Sequence, residues 1–344
     1  MRLPVFVLVL VLAVALGGCF GAPRYQGAPS DHFDGQAFRN QVPFERRGIG
    51  DILRWQLTGD AISWPDWVEI ARQPPPPRRV TSGVRVTFVN HATVLVQMAG
   101  MNILTDPVWS ARVGPASWLG AARHKAPGIP FDSLPPIDVV VLSHNHYDHL
   151  DVATLRRLAA RDSPRILAGL GTRALLEESG IGRVEDLDWW ESRESSGITI
   201  TFTPAQHWSR RGVDDDYATL WGSFHFRAGE TRVYFAGDTA WGPQFAQIRD
   251  RLGPPTLALL PIGAYEPRWF MRAQHVNPTE AVAAHRVLGA RASIAIHWGT
   301  FSLSDEGMYQ PAGDLMLARR AAQLPPDAFV AIENGEHWES DGAR

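Results

Sequence analysis

The segment that most limits what this chain can fold into is Val139-Val140-Val141-Leu142-Ser143, which runs straight into His144-Asn145-His146-Tyr147-Asp148-His149. A short, unbroken, Val-rich apolar run reads as a strand covered on both faces, the kind found inside a sheet flanked by helices. Directly after it stand three histidines and an aspartate in the pattern H-x-H-x-D-H. Imidazole nitrogen and carboxylate oxygen are ligands for zinc and similar ions. A loop leaving a strand can turn His144 and His146 toward one cavity and Asp148 and His149 toward its neighbour. The expectation is a metal centre at the carboxyl end of a buried strand.

The rest of the chain after Val80 alternates short β-rich runs with helical ones. Val84 to Val89 and Thr93 to Met98 read as a strand pair and Ile137 to Leu142 as the buried strand. Asp151 is placed to cap a helix through Ala160, Thr172 one ending before Gly180, and Asn277-Pro278 one through Leu288, with a preferred cap residue and first-turn proline. Further strands are expected at Ile198 to Phe202, Leu220 to Phe226, Val233 to Ala236, Leu257 to Leu260, Ser293 to Ile296 and Phe329 to Ile332. This is an α/β pattern with enough strands for two sheets.

The N-terminus has a different character. After Met1-Arg2 an apolar run from Leu3 to Leu16 leads into Gly17-Gly18-Cys19, an export signal too short for a comfortable membrane span of roughly 20 residues. Leu16-Gly17-Gly18-Cys19 resembles a bacterial lipobox, which makes Cys19, the only cysteine, the lipidated first residue of an exported, membrane-anchored lipoprotein at the outer membrane or periplasmic face. A lone cysteine excludes intrachain disulfides, so core packing and metal must hold the fold. The expected division is a signal over 1–18, a tether and partly ordered arm over 19–80, and a hydrolase domain over 81–344. Trp55, Trp64 and Trp67 imply that part of the arm packs on the domain. With 33 basic against 36 acidic residues there is no nucleic-acid footprint, and Trp208-Ser209-Arg210-Arg211 reads as a solvated loop.

H-x-H-x-D-H behind a buried strand resembles the signature of the metallo-β-lactamase superfamily, whose fold is an αββα sandwich of two mixed β-sheets flanked by helices. The resemblance implies two zinc ions: His207 joins His144 and His146 at the first, His297 joins Asp148 and His149 at the second, and Asp238 in Ala236-Gly237-Asp238-Thr239 bridges them. Longer stretches, Asn90-His91-Ala92-Thr93-Val94, Leu104-Thr105-Asp106-Pro107-Val108, Asp188-Trp189-Trp190-Glu191 and Pro261 to Met271, resemble the phospholipase D-type enzymes that hydrolyse N-acylphosphatidylethanolamine. That family implies Tyr147 and His275 as substrate-facing residues and Asp106 as the aspartate that orients the ligands.

The activity so implied is hydrolysis of N-acylphosphatidylethanolamine-like membrane lipids to N-acylethanolamine and phosphatidic acid. Water made nucleophilic between two metal ions would attack phosphorus, with Asp148 and His275 as catalytic groups. An unperturbed His275 would titrate near the pH that such a proton transfer needs. No G-x-S-x-G elbow surrounds a serine, which argues against a covalent serine hydrolase. Trp109, Trp118 and Trp269-Phe270-Met271 are read as rings on active-site loops that admit acyl chains. Two alternatives remain open: a metal-dependent lactonase of the same fold, and a surface lipoprotein without turnover. A homodimer is compatible with all of them.

Overall fold

The computed structural model describes residues 21–43 and 46–340; the signal segment and Cys19 lie outside the described residues. The elements in chain order are α1 (Ile49–Thr58), β1 (Val84–Asn90), β2 (Thr93–Met98), β3 (Met101–Thr105), the hairpin β4 (Arg112–Ala116) and β5 (Leu119–Ala122), β6 (Val139–Leu142), α2 (Val152–Asp162), β7 (Arg165–Gly169), α3 (Thr172–Glu178), β8 (Val184–Leu187), β9 (Ser192–Ser195), β10 (Ile198–Thr203), β11 (Ser223–Ala228), β12 (Thr231–Phe235), α4 (Gln244–Leu252), β13 (Leu257–Pro261), α5 (Arg268–Met271), α6 (Pro278–Leu288), β14 (Ala292–Ile296), α7 (Gln310–Ala321), β15 (Phe329–Val330) and β16 (His337–Glu339).

Two mixed seven-stranded sheets, in the orders β16-β1-β2-β3-β6-β7-β8 and β15-β14-β13-β12-β11-β10-β9, face each other. The strand alternation sorts the side chains. Val139 and Val141 point into the core between the sheets, where Ile200, Phe202, Phe235 and Leu259 come from the other side. Val140 and Leu142 point outward with Leu104 and Ile166, and meet Leu155 and Leu158 of α2 and Leu175 and Leu176 of α3. Burial on both faces is why β6 has no polar alternation. On the second sheet Phe245 and Ile248 of α4 and Ala281, Val282, Ala284 and Leu288 of α6 close the outer face. The architecture is therefore the expected αββα sandwich.

Local signals performed as capping chemistry requires. The Asp151 carboxylate accepts from the amides of Ala153 and Thr154, and Asn277 forms a capping box with Glu280. Thr172 is not a cap, because Gly171 precedes the helix in a left-handed conformation and Thr172 is its first residue. The strand expected from Leu220 starts only at Ser223. A Cβ on Gly222 would lie 2.4 Å from the Phe202 ring, and Trp221 turns aside to bond Asn40 and Ala205. Apolar character thus continues past the strand's end.

The described arm, residues 21–43 and 46–80, packs on several parts of the domain, and its last residues meet the first sheet, where the Pro77 and Arg78 carbonyls accept from Gln97 and Asn102. Phe33 and Phe38 enter the inter-sheet core, the Trp55 indole donates to Asp305 at 2.8 Å, and Trp64 donates to the Glu306 carbonyl at 2.9 Å. Trp67 is exposed and bonds Glu69 within the arm. His32 clasps the arm to the domain: it sits between Asp31 (2.5 Å) and Asp188 (2.7 Å) and stacks on Trp189 at 4.5 Å. Burial alone would lower its pKa, but the bonds to Asp188 and Asp31 outweigh that and raise it. A raised folded pKa contributes stability that is complete below the unfolded value of about 6.5 and fades as pH climbs through the folded value. Protection of the amides of residues 30–40, taken as exchange relative to its base-catalysed intrinsic rate at each pH, is therefore expected to be weaker at pH 8.5 than at pH 6, and His32→Gln should erase the difference in protection. Protection in the wild-type chain that does not change with pH would remove the clasp.

Candidate metal centre

Every candidate ligand sits where a strand gives out at one edge of the sandwich. His144, His146, Asp148 and His149 follow β6, His207 follows β10, Asp238 follows β12, and His297 follows β14. Gly237, at φ 58, lets the chain turn into Asp238; a Cβ there would stand 2.5 Å from the Ser143 Cβ. His297 itself adopts φ 60, a left-handed conformation that costs a non-glycine residue on the order of 1–3 kcal/mol.

The seven residues converge. Oδ2 of Asp238 lies 3.1 Å from His297 Nε2, 3.2 Å from His149 Nε2, 3.8 Å from His207 Nε2 and 4.0 Å from His144 Nε2. On one side of it His144 Nε2, His146 Nδ1 and His207 Nε2 form a trio, with His146 Nδ1 at 2.8 and 3.3 Å from the other two. On the other side Asp148 Oδ2 is 3.4 Å from both His149 Nε2 and His297 Nε2. Ligands at about 2.0–2.1 Å from a tetrahedral zinc are about 3.3 Å apart. Several of these nitrogens aim at one another with no ordinary hydrogen bond to make: His149 Nε2, His297 Nε2 and Asp238 Oδ1 are buried without a hydrogen-bond partner among the described residues. Such atoms are costly to bury unless a cation meets them.

The electrostatics agree. Burial pushes the Asp148 and Asp238 carboxyls up, yet the charge of His149 and the bonds around it hold both well below the usual carboxylate range. Against the same burial, Asp238 and Asp148 lift His149 well above the ordinary imidazole value and His297 to about 9. Two buried carboxylates that favour positive charge on the imidazoles beside them mark a place that demands a cation. His144 goes well below its ordinary value, His146 to about 3 and His207 to about 4, chiefly through burial, and so these three are neutral and ready to ligate.

Behind the ligands the outer contacts are specific. The Asp106 carboxylate accepts from His149 Nδ1 at 2.7 Å, from the Ser143 amide at 2.7 Å and from the Ser143 hydroxyl at 2.6 Å. His207 Nδ1 donates to the Gln274 carbonyl at 2.9 Å. These bonds fix which nitrogen of each ring faces the centre. His275 is buried, with Nδ1 3.8 Å from Asp238 Oδ2. Burial holds its pKa well below the ordinary value, which corrects the expectation of an unperturbed imidazole. Tyr147 projects into the adjoining cavity and donates its hydroxyl to the Arg211 carbonyl at 2.9 Å.

Two residues at the centre carried no assigned role from the sequence. His91, in the turn between β1 and β2, places Nε2 3.0 Å from Asp148 Oδ2 and could serve as a further ligand or as the orienter of Asp148. It stands 57 positions from its partner, outside any motif spacing. Arg211 overturns the solvated-loop reading. Its side chain is half-buried, stacks 4.0 Å from the Tyr147 ring centre, and donates to the Asn145 and Leu150 carbonyls at 2.9 and 2.8 Å, bracketing the H-x-H-x-D-H loop.

The centre forms the floor of a cavity of about 710 Å³. Its walls are apolar: Val113, Trp118 and Leu119 from the β4–β5 hairpin, Phe270 and Met271 from α5, and Trp55 from the arm. Trp109 does not reach it; its indole bonds the Ile129 carbonyl and packs edge-on against Phe131 on the outer face of the first sheet. Trp269 also faces away, beneath Arg54 at 4.5 Å, in a separate cleft of about 320 Å³.

A buried set of imidazoles around two carboxylates, at the strand ends of an αββα sandwich, defines a metal-dependent hydrolase. The chain belongs to the metallo-β-lactamase superfamily, for residues 101–298 match the family described as Beta-lactamase superfamily domain. It is 41% identical over 275 residues, 75% of its length and 76% of the relative's, to N-acyl-phosphatidylethanolamine-hydrolyzing phospholipase D 1 of Caenorhabditis elegans. It is also 29% identical over 260 residues, 74% of this chain and 100% of the other, to a metal-dependent hydrolase of Methanopyrus kandleri. Among solved structures, a metallo hydrolase from Ignicoccus hospitalis shares the fold with a TM-score of 0.58 at 19% identity, covering 76% of this chain and 99% of that one.

Proposed function

We propose that this chain is a phospholipase D-type phosphodiesterase that cleaves N-acylphosphatidylethanolamine-like lipids into N-acylethanolamine and phosphatidic acid. The observation that carries the reading is the apolar cavity ending on the His/Asp cluster, a shape that takes acyl chains against its walls and a phosphodiester at its floor. The relative from C. elegans supports it through its named substrate. In this reading His144, His146 and His207 would hold one zinc ion and Asp148, His149 and His297 a second, with the Asp238 carboxylate available to both. When bound, the ions supply Lewis-acid charge and an activated water.

The protein's own groups do the remaining work. Tyr147 and His275 border the cavity beside the cluster, within reach of a phosphodiester held there. Phe270 and Met271, both buried, keep water from the wall of the cavity, which strengthens the charge interactions inside. Residues 81–344 form the hydrolase domain in this reading, and once the 1–18 signal is removed a lipidated Cys19 holds the cavity near its membrane substrate.

Turnover of N-acylphosphatidylethanolamine in detergent and heavy-oxygen water is expected to place the label in phosphatidic acid. Label in the released N-acylethanolamine would mean carbon–oxygen cleavage and end the proposed attack on phosphorus. Hydrolysis of an acyl lactone with no cleavage of the lipid would transfer the site to the lactonase reading.

A further inference from the structure

His207 differs from the other candidate ligands in how its backbone is held. β10 has ended, and among the described residues the His207 amide and carbonyl take no partner from either sheet. Both go instead to one side chain 167 positions earlier: the His207 N–H donates to Asn40 Oδ1 at 3.0 Å, and the His207 carbonyl accepts from Asn40 Nδ2 at 2.7 Å. A planar carboxamide that pairs with both polar groups of one residue acts as a one-residue strand partner, and so fixes where the Cα–Cβ bond points. The carboxamide is itself fixed, because the buried Trp221 indole donates to the same Oδ1 at 3.0 Å. Next to it Gln206 donates to the Val42 carbonyl at 3.3 Å, so the arm grips the loop at two consecutive residues. The ring of His207 is held separately by the Gln274 carbonyl. Its Nε2 therefore reaches the centre through two contacts, one from the arm and one from the loop before α6.

We infer that Asn40 is a positioning residue for the first metal site, so that the N-terminal arm completes the centre as well as linking it to whatever precedes it. The inference rests on reading His207 as a ligand. Without the carboxamide the His207 peptide must find water or turn, and a rotation of that peptide swings the ring away from His144 and His146. Outer contacts of this kind typically change metal affinity by roughly 10- to 100-fold.

The test uses the full chain loaded with zinc and challenged with a chromogenic chelator, which follows the release of each ion in turn. Asn40→Ala is expected to release one of two ions about 10- to 100-fold more readily while the second keeps its wild-type affinity. His207→Ala should lose that same ion altogether. Wild-type retention of both ions by Asn40→Ala, with one lost by His207→Ala, would overturn the role of Asn40 and leave the ligand reading standing. Retention of both by His207→Ala would overturn the ligand reading and this inference with it. If Asn40→Ala does not fold, Asn40→Asp carries the test, since it is nearly isosteric and keeps the acceptor for Trp221 and the His207 amide. An intermediate loss of one ion supports the assignment, and wild-type release refutes it.

Discussion

Asp238→Asn is expected to empty both halves of the metal centre at once and to abolish turnover. One oxygen of this carboxylate lies within 4.0 Å of nitrogens from His144, His149, His207, His275 and His297, a set drawn from both sides of the cluster. The amide has the same shape but no charge, and it turns an N–H₂ toward nitrogens that need an acceptor or a cation. Removing one member of a buried charge pair costs about 3–5 kcal/mol. At about 1.4 kcal/mol per tenfold, that is roughly 100- to 3,000-fold in metal affinity. Elemental analysis of undialysed protein should fall from two ions per chain toward none, and chelator treatment of the wild-type chain should reproduce the loss of activity. Two ions retained in Asp238→Asn with normal turnover would remove this residue from between the metals.

The second large effect is expected to separate from metal content. His275→Ala should lower turnover by roughly 10²- to 10⁴-fold, the usual contribution of a positioned acid, base or hydrogen-bond partner. Both ions should stay in place. His275 Nδ1 is near enough to Asp238 to be taken for a ligand. It nevertheless belongs to the cavity rather than to a strand end: its amide donates to the Met271 carbonyl, and its own carbonyl accepts from Arg268, both at 2.9 Å. Loss of an ion along with activity in His275→Ala would make it a ligand and assign the proton chemistry to another group.

These two residues differ in how visible they were beforehand. Asp238 follows an apolar run and a glycine, a local pattern that places it on a turn after a strand. His275 has no such frame, and only the resemblance of its surrounding stretch pointed to substrate. The indoles show the limit of reading aromatics one by one. Trp109, Trp118 and Trp269 all lie near strand or helix ends in a Gly/Pro-rich context. Trp118 lines the cavity, while Trp109 serves the outer core and Trp269 lies under arginines. Arg211 departed from its expectation because the fold presents two carbonyls to its guanidinium, those of Asn145 and Leu150.

The residues themselves were enough to specify the doubly buried strand before His144, the helix caps at Asp151 and Asn277, an α/β pattern with strands for two sheets, and the H-x-H-x-D-H run as a candidate ligand set, while the αββα layering and the candidates His207, Asp238 and His297 came through the family resemblance. What the residues specify by themselves is encoded by short-range periodicity or by residue types within a few positions, which act through local backbone geometry. Tertiary structure alone decided that Asn40 grips His207 and that His91 supports Asp148. It also decided that Arg211 brackets the ligand loop, and that the hairpin, α5 and the arm together wall an apolar cavity. The contacts of Asn40, His91 and Arg211 join positions from 57 to 167 apart, and no periodicity spans such separations. They exist because two sheets pack face to face and bring the ends of unrelated strands to one edge, where side chains meet through packing rather than through spacing.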